Sequence, residues 1–312
     1  MIWGWTFSWM KEAIVTANAL IGEGALVLVI GLFMTVRFLL GAVGLPLLVP
    51  AARVGLWDRG VWWDGLVLAL LLLGGFLLQM FALDEMSPAV SAFLTSLYVV
   101  FTALWTRVAR RIQLGWAALI GIVLVTAGAA FISGPPHLHF DTPEWLTVLC
   151  AAMFAAHIVA TDTITKRRPP LAISVSSFWW VSVGSFGVLL VGIVQRPDLG
   201  LEAVWVLLGS SGFLVPVLLA GVLGTGVALT LLNTYQRKLS PVRAAILYSL
   251  EPVWAALIAV TMGLMEVDRW LLLGGTGLLL GNLIVELAPR LRRFRTGALQ
   301  PGEDRARGTV DS

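Results

Sequence analysis

Few residues in this chain could do chemistry, and those few sit where charge is expensive. Glu251 and Pro252 are adjacent in an otherwise almost wholly apolar stretch from Ala244 to Met265, and Arg37 lies about midway along another. A charged side chain at the centre of a bilayer costs ~2.5–3.5 kcal/mol on insertion scales, so it is expected to face a protein interior or an aqueous cavity. The Arg37 guanidinium offers paired donors to a substrate carboxylate or phosphate. The alternative is a permanent ion pair with Glu12 or Glu251 that ties helices together. Glu251 could titrate, bind a substrate amine or hold Arg37. Pro252 has no N–H, so the carbonyl of Tyr248 loses its helical partner and could face a cavity or bend the helix at a gate.

Lys11 and Glu12 interrupt the first apolar run. Lys11 is expected to snorkel toward the external surface or touch substrate, and Glu12 to pair with a base or carry a proton. Gln79, Tyr98, Asn233, Tyr248, Trp179, Trp180, Trp254 and Asn282 are polar or amphipathic groups within apolar runs. Each could line a cavity or serve only in hydrogen bonding and packing between helices. Tyr98 and Trp254 lead that set, because their helices carry a repeated motif near mid-depth.

Other chemistries find little support. His157 and Asp162 lie in the cytoplasmic half of an apolar run, where a solvated or capped Asp162 is favoured over a proton relay. The loop HLHFD places His137, His139 and Asp141 at alternate positions, which is weak grounds for a metal. No G-x-x-x-x-G-K-[ST] loop is present, so nothing points to ATP hydrolysis, and no cofactor is expected. Cys150 is the only cysteine, so no intramolecular disulfide can form. The net charge of +3 is dispersed over loops and tail and gives no nucleic-acid signal.

The elements that must position these residues are membrane helices. Charged residues make up 12% of the chain, against roughly 25% in soluble domains. Mean hydropathy is +0.90. Trp57, Trp62, Trp63, Trp116, Trp145, Trp205 and Trp270 fall where apolar runs end, and indoles favour the headgroup level. With about 20 apolar residues needed per span, the runs at 2–17, 25–50, 65–84, 89–106, 115–133, 145–165, 172–194, 206–235, 242–265 and 269–288 predict ten helices. The eighth is long enough to tilt or to begin with a short interfacial piece at 207–210. The first run would reach only ~24 Å at ~1.5 Å per residue, which predicts a start further upstream with about ten residues absent.

Basic residues orient the chain. One side collects Arg53, Arg59, Arg107, Arg110, Arg111, Lys166, Arg167, Arg168, Arg237, Lys238, Arg243 and the six arginines from Arg290 to Arg307. The other holds only Arg196 and Arg269. This alternation predicts cytoplasmic termini. The tail at 289–312 is expected to be disordered and to contact anionic lipid.

MSPAVSAFLTSLYVVFTALW at 86–105 aligns without gaps to LSPVRAAILYSLEPVWAALI at 239–258, with nine of twenty positions identical. Beyond it, a one-residue slip pairs Trp116 with Trp270 and Gly121 with Gly275. The copies fall on spans four and nine, an odd separation, so the halves enter the membrane from opposite sides. Inverted repeats of this kind recur in secondary transporters and bind at the midplane. Tyr98 and Glu251 are repeat mates, each about ten residues and ~15 Å inside its span.

The segment 239–285 resembles the EamA-type repeat of the drug/metabolite transporter superfamily. The resemblance rests on Ser240-Pro241, the SLEPV core at 249–253, Glu266 in the following turn and the Gly-rich run from Gly274 to Gly281. WGWTFSWMKEA at 3–13, VRFLLGA at 36–42 and the 86–133 segment extend it over the first half. It implies an all-α polytopic protein of two inverted five-helix repeats, 1–133 and 144–288, in the inner (plasma) membrane. It also implies export of an amino acid or related small polar metabolite by alternating access, with substrate and lipid as partners and a homodimer as a candidate assembly. Tyr98-Val99 stands where the second copy has Glu251-Pro252, which makes the path asymmetric. The rival readings are a lipid-carrier flippase and a membrane-embedded enzyme acting on a lipid-linked substrate.

Overall fold

The computed structural model describes residues 2–109, 111, 114–131, 141–261 and 267–295, and every regular element among them is helical. A chain in hydrocarbon has no water for its backbone polar groups, so each apolar run closes its hydrogen bonds internally as a helix. The elements are α1 (Ile2–Ile21), α2 (Leu26–Leu48), α3 (Arg59–Glu85), α4 (Pro88–Thr95), α5 (Tyr98–Ala109), α6 (Trp116–Phe131) and α7 (Thr142–Ile164). They continue with α8 (Pro170–Gln195), α9 (Glu202–Gly209), α10 (Ser211–Leu219), a π-helical stretch Ala220–Leu229, α11 (Thr230–Tyr235), α12 (Pro241–Tyr248), α13 (Glu251–Thr261) and α14 (Arg269–Arg295). Six stretches are long and apolar enough to cross a membrane: Leu26–Leu48, Arg59–Glu85, Val90–Val108, Thr142–Ile164, Pro170–Gln195 and Ser211–Lys238. Trp116–Phe131 and Arg269–Val285 are shorter apolar helices.

Two expectations need correction. The first helix is not a 16-residue stub: it continues to Ile21, twenty residues or ~30 Å, with Asn18 donating to Asp84 near its end. The eighth run follows the second of its two alternatives: the chain turns extended at Ser210, which separates a short first piece, α9, with Trp205 exposed, from α10, although that piece is Glu202–Gly209 and not 207–210. The second correction concerns spans four and nine, each of which is two helices.

The breaks match atom for atom. Ser87 Oγ accepts from Val90 N at 3.3 Å, and Ser240 Oγ accepts from Arg243 N at 3.4 Å, capping α4 and α12 at their starts. Ser96 Oγ then donates to Phe93 O at 2.7 Å, and Ser249 Oγ to Ile246 O at 2.6 Å. A serine bonding back to its own turn competes with the helical ladder. In both copies the next residue's N–H reaches only three residues back, Leu97 to Leu94 and Leu250 to Leu247. The helices restart at Tyr98 and Glu251. Pro252 is therefore not the cause of its break, since Val99 occupies the same place in the first copy. In the first turn of a helix a proline has no bond to lose and a carboxylate is favoured by the dipole, so the start of α13 suits Glu251-Pro252.

The expected slip after the repeat is absent. α6 begins at Trp116 and α14 at Arg269, the same 153 positions apart as Pro88 and Pro241. The two helices run antiparallel in close contact. A Cβ on Gly121 would stand 3.1 Å from Gly281 O, and one on Gly128 would stand 2.7 Å from Gly274 O. Gly121 thus corresponds to Gly274, and Gly275, its expected mate, has nothing within 4 Å of an added Cβ.

Charges gather at the two ends of the bundle. At one, Arg167 and Arg168 each pair with Asp64 at 2.9 Å, Arg168 also pairs with Asp58, and Arg237 donates to Thr165 O at 3.3 Å. At the other, Arg196 bridges Asp198 and Glu23 O, both at 2.9 Å. Arg196 holds the Asp198 carboxyl below the usual carboxylate range by hydrogen bonding. Lys11 is committed structurally: its Nζ donates to Leu83 O at 2.8 Å and Asp84 O at 2.7 Å. These are carbonyls of the last turn of α3, where a cation suits both the free acceptors and the dipole. Five of the seven interfacial indoles are exposed, Trp57, Trp63, Trp116, Trp145 and Trp205. Trp62 instead donates to Leu56 O, and Trp270 stacks on Phe131.

Candidate functional site: a cavity walled in pairs

A cavity with about 550 Å³ of empty space lies inside the bundle, lined by fifteen residues. α1 supplies Trp3, Thr6 and Phe7; α3 supplies Leu72, Phe76 and Gln79; Thr95 and Tyr98 flank the first helix break. From the second half come Phe154, His157 and Ile158 of α7, Leu229 and Leu232 around the π-helical stretch, and Tyr248 and Glu251 at the second break.

Fourteen of the fifteen form pairs at constant separation. Phe76 and Leu229, Gln79 and Leu232, Thr95 and Tyr248, and Tyr98 and Glu251 are each 153 positions apart. Trp3 and Phe154, Thr6 and His157, and Phe7 and Ile158 are each 151 apart. The fifteenth, Leu72, corresponds at 153 to Thr225, which lies just behind the wall. The same positions of each half thus face one space, while their chemistry differs.

Four of the seven sequence candidates meet here: Gln79, Tyr98, Tyr248 and Glu251. Gln79 Nε2 donates to Thr95 Oγ1 at 3.2 Å across the gap between α3 and α4. The Tyr248 hydroxyl donates to Gln236 Oε1 at 3.4 Å, while Gln236 Nε2 donates to Ile158 O at 2.6 Å, joining α12 to α7. The indole of Trp3 packs edge-on against the Tyr248 ring, centroids 5.4 Å apart. Tyr98 is buried, and its hydroxyl makes no hydrogen bond among the described residues.

The other three candidates are placed elsewhere. Trp254 is 36% exposed on the outer face of α13. It follows Glu251 by three residues, which turns it about 60° round the helix. Asn233 is buried behind the wall and donates to Ser174 Oγ at 3.0 Å. Arg37 is wholly buried one layer behind the cavity, its Nε donating to Thr225 Oγ1 at 3.0 Å and its guanidinium 4.4 Å from the Phe76 centroid. No ion pair joins Arg37 to Glu12 or Glu251 among the described residues. Glu12 is exposed on α1 and does not line the cavity.

The remaining polar residues sort in the same way. Trp179 is exposed, Trp180 donates to Trp62 O, and Asn282 donates to Leu278 O within its own helix. Asp162 pairs with Lys166 at 2.8 Å. His157 does line the cavity, with Nε2 making no hydrogen bond among the described residues. His137, His139 and Glu266 lie outside the described residues. Among the described residues no cluster of three metal-ligating side chains occurs. Sequence reasoning missed Thr6, Thr95 and the apolar lining. The 153 spacing of the SP repeat, extended backward into α3, would have found four of the seven pairs.

Apolar helices of this length, packed around an interior cavity, define an all-helical, multi-pass membrane protein. The model of the EamA-like transporter family matches residues 1–134 and again 142–287, and the chain belongs to that family. It is accordingly a membrane transporter of the drug/metabolite type carrying two copies of the repeat. A solved crystal structure shares the fold, with a TM-score of 0.63 and 18% identity over 93% of this chain and 97% of that one. No curated protein matches the sequence.

Proposed function

We propose that this chain is a secondary transporter of ten spans in two inverted five-helix repeats. In this account it exports an amino acid or related small polar metabolite by alternating access. The ten spans are the six long apolar stretches, the two shorter apolar helices, α1, and the broken pair α12–α13. The membrane is the inner (plasma) membrane and the termini are cytoplasmic, an orientation that the basic residues of the loops support under the positive-inside rule.

One observation carries this proposal: the cavity is walled by the same positions of both halves. If the halves are related by a two-fold axis in the membrane plane, each can take up the other's packing, and the cavity then opens to the opposite side. The helix breaks before Tyr98 and Glu251 give each half a place to bend beside the solute. Among the described residues Glu251 is the one carboxylate in the lining, and its role is to receive an ammonium group or a proton. His157, the mate of Thr6 in the pairing, is the one imidazole among them.

A lipid-carrier flippase or an enzyme on a lipid-linked substrate would need a lateral opening or a nucleophile beside a base. The polar lining of Thr6, Gln79, Thr95, Tyr98, His157, Tyr248 and Glu251 is spread around the wall and favours the small solute. The test is reconstitution into liposomes with labelled amino acids and small metabolites, with and without a proton gradient. Saturable flux of at least one panel member is expected. No flux together with turnover of a lipid-linked substrate would overturn the proposal, and flux indifferent to the gradient would remove proton coupling from it.

A further inference from the structure

Arg37 is the largest fully buried side chain among the described residues, and its hydrogen bonding is lopsided. The Nε edge of the guanidinium is used by Thr225 Oγ1 at 3.0 Å. On the outer edge Nη1 meets only the thioether of Met10, at 3.6 Å, and Nη2 has no hydrogen-bond partner. Among the described residues no carboxylate pairs with it. An uncompensated buried charge is costly, and the contacts here supply little beyond two aromatic faces, Phe76 at 4.4 Å and Phe38 at 5.4 Å.

Glycines let the neighbouring backbone pack closely around this edge. α2 carries Arg37 against the π-helical stretch, where Gly221 lies on the Arg37 backbone. A Cβ on Gly224 would come within 3.4 Å of Nη2 and 2.8 Å of Thr6 Cγ2. A π-helical segment inside a long helix is a recurrent mark of a functional site. Two of the side chains around the guanidinium, Phe76 and Thr6, are themselves cavity wall. One aromatic ring therefore separates a buried guanidinium from the solute space.

We propose that the Nη1–Nη2 edge of Arg37 is a carboxylate subsite of the cavity, and that the Phe76 ring is its door. The Nη1 and Nη2 N–H groups of one edge, the first held only by a weak thioether acceptor and the second by none, match the two oxygens of a single carboxylate, a bidentate geometry that a guanidinium provides and an ammonium does not. A dianionic phosphate would call for several further donors, and the hydroxyls near this edge are few: Thr6 donates to Trp3 O, which leaves the O–H of Thr225. The ring of Phe76 covers the guanidinium by cation–π contact when no carboxylate is there and swings aside when one enters. Glu251 acts on the same solute with opposite charge, so the solute that satisfies both carries an amine and a carboxylate. This inference rests on the transport proposal for its biological meaning, but the binding it predicts does not depend on transport.

The test uses three labelled probes that share a phenyl ring and a two-carbon chain: 3-phenylpropionate, L-phenylalanine and 2-phenylethylamine. Equilibrium binding is measured on the purified full-length protein and on Arg37→Gln, Arg37→Lys and Phe76→Ala. The two carboxylates are expected to bind saturably and to weaken at least ~10-fold in Arg37→Gln, the loss set by a charged hydrogen bond. Arg37→Lys should recover only part of that loss, and 2-phenylethylamine should stay within about twofold in both Arg37 variants. Phe76→Ala keeps Arg37 in place and covers the case in which Arg37→Gln fails to fold; it should raise the affinity for the two carboxylates relative to the amine. Failure of both carboxylates to bind, or equal losses for carboxylates and amine in Arg37→Gln, would overturn the subsite. Carboxylate binding without flux of any solute would leave the subsite standing and remove the transport proposal. Amino-acid flux unchanged in Arg37→Gln would do the reverse.

Discussion

The two broken helices, α4–α5 and α12–α13, share a backbone and divide the chemistry. Both begin with a Ser-Pro cap, both pause where a serine hydroxyl bonds back to its own turn, and both restart with a side chain facing the cavity. At the restart one places the neutral phenol of Tyr98 and the other the carboxylate of Glu251. One residue earlier in the lining, Thr95 faces Tyr248, and on the first helices Thr6 faces His157. The comparison separates two kinds of residue. Those identical in both copies, Ser87, Pro88, Ser96 and their mates, build the bend. Those that differ give the cavity its chemistry, and the carboxylate and the imidazole of the described lining come from the second half.

Five substitutions bear on this division, given in order of expected effect. Glu251→Gln should lower flux about 10- to 100-fold at unchanged expression, the worth of ~1.5–3 kcal/mol for a hydrogen bond to a charged group. Its mate should matter less: Tyr98→Phe removes a neutral hydroxyl, with an expected loss of about two- to tenfold. Equal losses at the two positions would break the asymmetry argument. Ser96→Ala and Ser249→Ala should each destabilise the protein by ~1 kcal/mol, one side-chain hydrogen bond, and thermal melts in detergent should give nearly the same shift for both. A large effect at one and none at the other would mean that the bends are not equivalent. Pro252→Val, which copies Val99, should change the melting temperature and flux least of all, because the break belongs to Ser249. Loss of transport in that variant would return the bend to the proline.

Much of this was legible in the sequence, because bilayer thickness and the 153-residue spacing act on residue types that are easy to read. The apolar runs fall on the helices, and the SP repeat places Tyr98 and Glu251 on one cavity. What escaped was set by tertiary contact. Ser96 and Ser249 are ordinary inside a membrane helix, and only their turn geometry makes a break, so Pro252 drew attention that it did not merit. Trp3 and Phe154, Thr6 and His157, and Phe7 and Ile158 share no identity, so the correspondence of α1 with α7 left no trace in the alignment. The tryptophans at 116 and 270 imposed a false slip, because an indole at the interface is placed by the lipid boundary and not by the repeat. Arg37 was expected to find a carboxylate. Its hydrogen-bond partner, Thr225, is an unremarkable residue of a glycine-rich stretch 188 positions away.

The account's central claim is that one cavity, walled in pairs, opens to each side of the membrane in turn. Phe7 and Ile158 are repeat mates that both line the cavity, and Cys150 is the only native thiol to remove. In a Cys150→Ser background, Phe7→Cys and Ile158→Cys would be labelled in sealed, oriented proteoliposomes with a membrane-impermeant maleimide applied from one side or the other. Both positions are predicted to react from both sides, with a transported solute on one side shifting the reactivity of the two together. Labelling of both positions from one side only, whatever solute is present, would contradict alternating access through this cavity.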